Sequence, residues 1–244
     1  MEFITPDWPA PMQVKALTTC REGGVSQLAY SSLNLASHVG DTPQAVEQNR
    51  SALVREFELT ADPVWLEQVH GTKVVELECV EKTLAIQADA AISRSFNSVC
   101  AVMTADCLPV LLCNEEGTAV AAVHAGWRGL IAGVIENTVS QLGSTNKIMA
   151  WLGPAIGPSC FEVGEEVQQA FVNKKSVLRQ GFQQVDSTHY LADLYALARM
   201  TLLHCGVKRI YGGEHCTYNQ PDQFYSYRRE PVTGRMASLI WLQP

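Results

Sequence analysis

Basic side chains are in short supply in this 244-residue chain: 18 Lys and Arg stand against 25 Asp and Glu, a formal net charge of -7. That balance excludes a nucleic-acid footprint spread over the surface, because phosphate backbones are gripped by clustered Lys and Arg, whereas a small anion needs only a local positive pocket. No stretch approaches the ~18 continuous apolar residues of a membrane helix, so no membrane partner is expected. The opening MEFITPDWPAPMQ has no basic segment followed by an apolar core, so no signal peptide is expected and the chain reads as cytoplasmic. Repeats, low-complexity runs and a convincing linker are missing as well, and the 47% hydrophobic content is that of an ordinary globular protein. One domain over residues 1–244 is expected. The eight cysteines show no CxxC or other regular spacing, and without an export signal most should be reduced. Cys79, Cys100, Cys113 and Cys205 lie in apolar runs and read as small core residues; Cys20, Cys160 and Cys216 fall in expected loops.

What is present centres on residues 99–130, VCAVMTADCLPVLLCNEEGTAVAAVHAGWRGL. Two valine-rich runs, 99–104 and 118–123, deliver Ala105-Asp106-Cys107 and His124-Ala125-Gly126-Trp127-Arg128-Gly129. With the turn chemistry of Asn114-Glu115-Glu116-Gly117 between them, they read as neighbouring buried strands, so Cys107 and His124 should sit close together at strand ends. The HAGWRG junction reads as a strand passing into a helix. Its free backbone N–H groups and helix dipole suit an anion, and Arg128 would reinforce them. One helix should follow, burying Ile131, Val134, Ile135, Thr138 and Leu142 and stopping at Gly143. The glycines at 126, 129 and 133 do not match the GxGxxG dinucleotide fingerprint.

Elsewhere, residues 14–18 read as a strand, and Thr42 with Pro43 opens a helix that buries Val46, Leu53, Val54 and Phe57. Residues 64–69 and 73–77 read as two strands joined around His70-Gly71-Thr72, which puts His70 at a turn. Residues 148–152 should form a strand, with Gly153-Pro154-Ala155-Ile156-Gly157-Pro158 as a rigid loop able to wall a pocket. Helices are expected over about 165–172 and 191–205, and strands over 207–211 and 238–242. Arg228, Arg229 and Arg235 read, on composition, as a solvated hairpin, and Arg21 beside Gly23-Gly24 reads as a solvated side chain at a turn. The pattern favours an α+β fold, a layered α/β sandwich with mixed sheets, over an all-parallel doubly wound one.

Three explanations stay open for His70, Cys107 and His124. They are unrelated strand-end residues; or Cys107 is a nucleophile activated by His124 and oriented by Asp106; or two imidazoles and a thiolate form the three-ligand set of a catalytic zinc, the fourth position being left to substrate. Their separations match no compact zinc-finger spacing, so the metal reading depends on strands converging.

The blocks Trp65-Leu66-Glu67-Gln68-Val69-His70-Gly71, Thr104-Ala105-Asp106-Cys107-Leu108-Pro109-Val110 and His124-Ala125-Gly126-Trp127-Arg128-Gly129, in this order, closely resemble the YfiH family, also called the laccase-domain or multicopper polyphenol oxidase family. Residues 19–26, Ser32-Leu33-Asn34-Leu35, residues 151–157 and Ser226-Tyr227-Arg228-Arg229 extend the resemblance over nearly the whole chain. It implies a single-domain α/β fold related to the catalytic domain of cytotoxic necrotizing factor, with His70, Cys107 and His124 on the zinc-binding or catalytic triple. It implies phosphorolysis of purine nucleosides such as adenosine, inosine and methylthioadenosine, and hydrolytic deamination of adenosine. A link to peptidoglycan precursor editing and, from the older name, copper-dependent phenol oxidation come with it. The sequence departs from the family around Cys160 and over residues 173–189, which are expected to be peripheral.

The expectation is therefore a zinc-dependent purine nucleoside phosphorylase with adenosine deaminase side activity, using one zinc ion on three protein ligands. Cys107, His124, Asp106 and Arg128 are the expected catalytic residues, and Arg21, Asn34, Gly126, Gly129 and Arg228 would hold nucleoside and phosphate. The alternatives are a metal-free cysteine hydrolase or amidase acting on a cell-wall precursor, and a copper phenol oxidase. Copper in the same three-ligand site stays open, but several coppers would need many more histidines than the six present.

Overall fold

Long apolar runs in this chain are strands buried on both faces. In the computed structural model, which describes every residue except 60 and 82–84, the chain begins with β1 (Phe3–Ile4), β2 (Val14–Thr19) and helix α1 (Pro43–Glu56), which starts at Thr42 and Pro43 as expected. Seven strands follow: β3 (Pro63–Glu67), β4 (Val74–Glu76), β5 (Ile86–Gln87), β6 (Ala90–Ser93), β7 (Val99–Thr104), β8 (Leu108–Asn114) and β9 (Val120–Ala125). Helices α2 (Trp127–Ala132) and α3 (Val134–Leu142) lead to β10 (Ile148–Leu152), β11 (Glu162–Gly164) and α4 (Glu165–Lys174). The chain closes with β12 (Phe182–Gln184), β13 (His189–Ala192), α5 (Leu194–His204), β14 (Arg209–Gly212) and β15 (Met236–Leu242). No helix among the described residues is long and apolar enough to cross a membrane.

Two six-stranded sheets, ordered β1-β2-β15-β7-β3-β5 and β14-β10-β8-β9-β6-β4, stack face to face, with a small β11-β13-β12 sheet beside them. Both large sheets are mixed: β3 lies parallel to β7 and β10 parallel to β14, whereas β7–β15 and β8–β9 are antiparallel. Alternation along the strands builds three cores at once. In β8, Leu108, Val110 and Leu112 face helices α3 and α5, while Leu111 and Cys113 face the other sheet. In β7 and β15, Cys100, Val102 and Ile240 point into that intersheet core, while Val99, Ala101 and Leu239 pack with Leu53 of α1. The layers therefore run helix, sheet, sheet, helix. This is the mixed-sheet α+β sandwich expected from the sequence, and double-faced burial explains why these strands read as unbroken apolar runs.

Several local expectations are corrected. Residues 99–104 and 118–123 are not neighbouring strands: β7 and β9 lie in different sheets, and it is β8 that pairs with β9 across the 114–119 turn. Similarly, β3 and β4 belong to opposite sheets, so the segment through His70 is a crossing between sheets and not a hairpin turn. The single helix expected after Gly126 is broken at Gly133, whose φ of 113° is left-handed and ends α2 before α3 begins. Helix α5 starts at Leu194 and not Leu191, because Asp193 accepts the Ala196 N–H as its N-cap and Leu191 pairs within β13. Cys79 is exposed and Cys205 half-buried, so of the four cysteines assigned to the core only Cys100 and Cys113 are there.

Candidate functional site

Strand pairing explains how His70, Cys107 and His124 meet. Because β3 and β7 run parallel, their C-terminal ends lie side by side in the first sheet. From there the chain crosses twice to the second sheet, once over residues 68–73 carrying His70 and once over residues 105–107 carrying Cys107. Strand β9 runs antiparallel to β8, with Ala125 opposite Leu108 and His124 opposite Pro109, so it finishes where β8 begins. The two crossings and that strand end bring one ligand atom from each residue within 4.8 Å of the others. Cys107 Sγ is 3.8 Å from His70 Nε2, and the two imidazoles pack edge to face with centroids 4.8 Å apart.

A carboxylate that the sequence reading did not single out holds this arrangement together. Asp89, fully buried at the start of β6, accepts the N–H groups of Val69, His70 and Gly71 at 3.2, 2.9 and 2.7 Å. Its Oδ1 lies 2.8 Å from His124 Nδ1, and its backbone carbonyl accepts the His124 N–H. One side chain thus anchors the His70 backbone and orients the His124 ring, and the bond at Nδ1 leaves His124 Nε2 as the candidate ligand atom. Burial would raise the Asp89 pKa, but the His124 bond and the backbone donors outweigh it and hold the carboxyl below its usual range. His70 adopts a left-handed φ of 60°, held by those same bonds. The only clue to Asp89 was its place one residue ahead of an apolar run, which names no partner.

Electrostatics couple Cys107 to both imidazoles. Burial opposes ionisation of the thiol, but His124 and then His70 outweigh it and bring its pKa down to about 6. Burial likewise opposes charge on His124, which the Cys107 sulfur and Asp89 push up to about 9. Without a metal, both shifts run towards a thiolate–imidazolium pair.

Asp106, the expected orienter of this pair, does not touch His124. Its Oδ1 accepts from Thr217 Oγ1 and its Oδ2 from the Arg228 N–H, both at 2.6 Å, while its own carbonyl accepts the Ile156 N–H at 2.9 Å. With a φ of 91°, it shapes the bend that presents Cys107.

The three candidate ligands open into a cavity of about 490 Å³. Three arginines line it, each stacked on an aromatic ring of the same wall: Arg128 over Trp127 at 4.4 Å, Arg228 over Phe161 at 5.3 Å and Arg235 over Tyr227 at 5.8 Å. Arg228, although solvent-exposed, and the half-buried Arg235 are therefore wall residues of this cavity and not merely a solvated hairpin. Ile156, from the loop expected to wall a pocket, is part of the lining. His38 is there too, its pKa lowered by partial desolvation and by the neighbouring Arg235 and Arg50. Local positive charge is thus concentrated here on a chain that is acidic as a whole.

Four of the expected nucleoside and phosphate contacts lie outside this lining. Arg21 donates to Ser31 O and Pro221 O and stacks on Tyr225. Asn34 is fully buried; its carboxamide bonds Ala36 and Asp41 and accepts the Arg235 N–H at 3.0 Å, which supports the wall from behind. Gly126 and Gly129 serve close packing: a Cβ on Gly126 would lie 2.9 Å from Cys107 Sγ and 3.0 Å from His70 Cδ2, and one on Gly129 would lie 3.0 Å from Gly71 O.

Comparison with known proteins agrees with this architecture. The family described as "Multi-copper polyphenol oxidoreductase laccase" matches residues 15–243. The "Purine nucleoside phosphorylase YfiH" of Escherichia coli K12 is 53% identical over 242 residues, covering 99% of both chains. The "Purine nucleoside phosphorylase" of Haemophilus influenzae is 47% identical over 246 residues, covering 100% of both. Among solved structures, a Neisseria meningitidis protein superposes with a TM-score of 0.96 at 50% identity over 100% of both chains. YlmD from Geobacillus stearothermophilus superposes with a TM-score of 0.86 at 28% identity, covering 97% of this chain and 94% of the other. A family match spanning almost the entire sequence, with about half the residues shared by full-length relatives, means that the chain belongs to this laccase-like YfiH family.

Proposed function

We propose that this protein is a metal-dependent purine nucleoside phosphorylase, cleaving adenosine, inosine and methylthioadenosine with phosphate, and that it also deaminates adenosine. The observation that carries the reading is a His/Cys/His cluster at the floor of a cavity walled by three arginine–aromatic pairs. Full-length relatives that bear the phosphorylase name support it.

The donor set suits zinc. Around one tetrahedral zinc, nitrogen and thiolate ligand atoms lie about 3.3–3.6 Å apart; the 3.8 Å between Cys107 Sγ and His70 Nε2 needs little closure, and the set as a whole, within 4.8 Å, would draw in further on binding. His70, Cys107 and His124 would hold the ion, which would supply Lewis-acid chemistry to a substrate in the cavity. Copper would meet the same donors, but among the described residues only this one cluster of His, Cys, Asp and Glu is arranged to hold a metal, which is too few sites for multicopper redox chemistry.

In phosphorolysis the bond from ribose C1′ to the base nitrogen breaks, a phosphate oxygen bonds to C1′, and the base leaves with a proton. The nucleoside's flat base suits the rings of Trp127, Phe161 and Tyr227. The guanidiniums of Arg128, Arg228 and Arg235 would hold the phosphate, whose negative charge stabilises the positive charge developing at C1′. Asp106, with both oxygens engaged, positions Arg228 and the Cys107 bend instead of carrying a proton. Deamination uses the same base-binding wall, with water adding to the ring carbon that bears the amino group and ammonia leaving.

Purified metal-replete protein given adenosine and phosphate should yield adenine, ribose 1-phosphate and some inosine; absence of all turnover would refute the reading. The Cys107–His124 pair favours one second reading, a metal-free cysteine hydrolase or amidase acting on a cell-wall precursor. Activity that survives a chelator, together with a covalent adduct trapped on Cys107, would select it. A copper phenol oxidase would instead consume oxygen, and its activity would rise with added copper.

A further inference from the structure

Behind the cavity wall, two cysteines that the proposed reaction does not use face each other, with Cys160 Sγ 4.0 Å from Cys216 Sγ. Both are half-buried. Each is fixed by the backbone of the same loop. The Cys160 N–H closes a turn onto Gly157 O at 3.0 Å; Cys216 forms a β-bridge with Ala155, and its Sγ accepts the Gly157 N–H at 3.2 Å. The two sulfurs are thus held on opposing backbone segments already tied together, and a disulfide would draw them from 4.0 Å to the bonded distance of about 2.05 Å. Cys216 also lines a second cavity, of about 350 Å³, with Ser159, Arg199 and His215, which offers a route by which a small molecule would approach this residue.

We propose that Cys160 and Cys216 form a reversible dithiol–disulfide site, oxidised by a low-molecular-weight disulfide. The Cys216 thiolate attacks one sulfur of that disulfide and forms a mixed disulfide, and the displaced thiolate takes up a proton. The Cys160 thiolate then attacks Cys216 Sγ, closing the protein disulfide and releasing the second small thiol. The protein loses two electrons and two protons, and the small disulfide leaves as two thiols. The bond would pin residues 155–160 to residues 216–217. These segments supply the Ile156 N–H and Thr217 hydroxyl bonds to Asp106, beside Cys107, so the redox state of this pair is felt at the bend that presents the candidate ligand.

The test is to incubate the full-length protein, as isolated with its metal, with oxidised glutathione, alkylate the remaining thiols, and map peptides without reduction. The expected result is a cross-linked peptide joining Cys160 to Cys216, and a melting temperature raised by several degrees that dithiothreitol restores. Cys160→Ser should stop at a glutathione adduct on Cys216 and show no thermal gain. The proposal is overturned if wild-type Cys160 and Cys216 stay alkylatable, if each carries only glutathione, or if they pair with other cysteines. It is equally overturned if Cys160→Ser keeps the full gain in melting temperature. Every readout is independent of phosphorolysis.

Discussion

The floor and the wall of the main cavity are built on opposite terms. At the floor, His124 and Asp89 are buried, and the Asp89 carboxylate holds the His124 imidazole and the backbone N–H groups of Val69, His70 and Gly71 through four hydrogen bonds of 3.2 Å or less. On the wall, Arg128, Arg228 and Tyr227 are exposed, and the guanidiniums lean on ring faces. Cation–π contacts at exposed sites are worth only ~0.5–1 kcal/mol each; Arg228 and Arg235 are tied further by donating to the carbonyls of Glu162, Thr233 and Gly234, which leaves Arg128 the most loosely held of the three. Under the proposed function, the floor would carry the chemistry and the wall would capture the substrate.

The sharpest way to break this comparison is Cys107→Ala, which removes one of three ligands. Metal content should fall towards zero and kcat should drop by about 10³-fold or more, as measured by metal analysis alongside steady-state kinetics. If kcat survives while the metal is lost, the floor is not metal-based. Next in size, Asp89→Asn leaves all three ligands in place but loses the charge that anchors the His70 backbone and orients the His124 ring. Metal affinity should weaken by about 10–100-fold in a competitive chelator titration, with KM for phosphate little changed in metal-saturated protein. A substitution on the wall should do the reverse. Arg228→Ala should raise KM for phosphate by about 10-fold and leave metal content intact; a drop confined to kcat would erase the division of labour. The smallest effect concerns the floor without its metal. The Cys107 thiol, brought to about 6 by His124 and His70, should be alkylated by iodoacetamide with a midpoint near pH 6, well below the roughly 8.5 of an ordinary thiol. Below that midpoint the rate falls as the thiolate is protonated, and a His124→Gln variant should move the midpoint upward.

Legibility from sequence divided along a related line. The apolar runs at 99–104 and 148–152 were readable because a strand buried on both faces has no polar alternation to blur it. His70, Cys107 and His124 stood out because they follow or close such runs. What misled the reading was partnership. Turn chemistry at His70-Gly71-Thr72 says that the chain changes direction, not whether it returns to its own sheet or crosses to another. Arg228 and Arg235 read as solvated because nothing local shows that Phe161 and Tyr227 stand beneath them. Arg21 and the glycines at 126 and 129 looked like a phosphate cradle, yet the arginine is engaged by backbone carbonyls and the glycines make room for Cys107, His70 and Gly71.

Local order therefore settled that the long apolar runs are strands, where α1 starts and which three side chains offer metal-ligand atoms, since periodicity, capping and donor type are properties of neighbouring residues. Folding alone decided that two crossings meet one strand end, that Asp89 serves both histidines, and that three guanidiniums surround one void. Each of these depends on which sheet a strand joins, and that choice is made by packing between residues far apart along the chain.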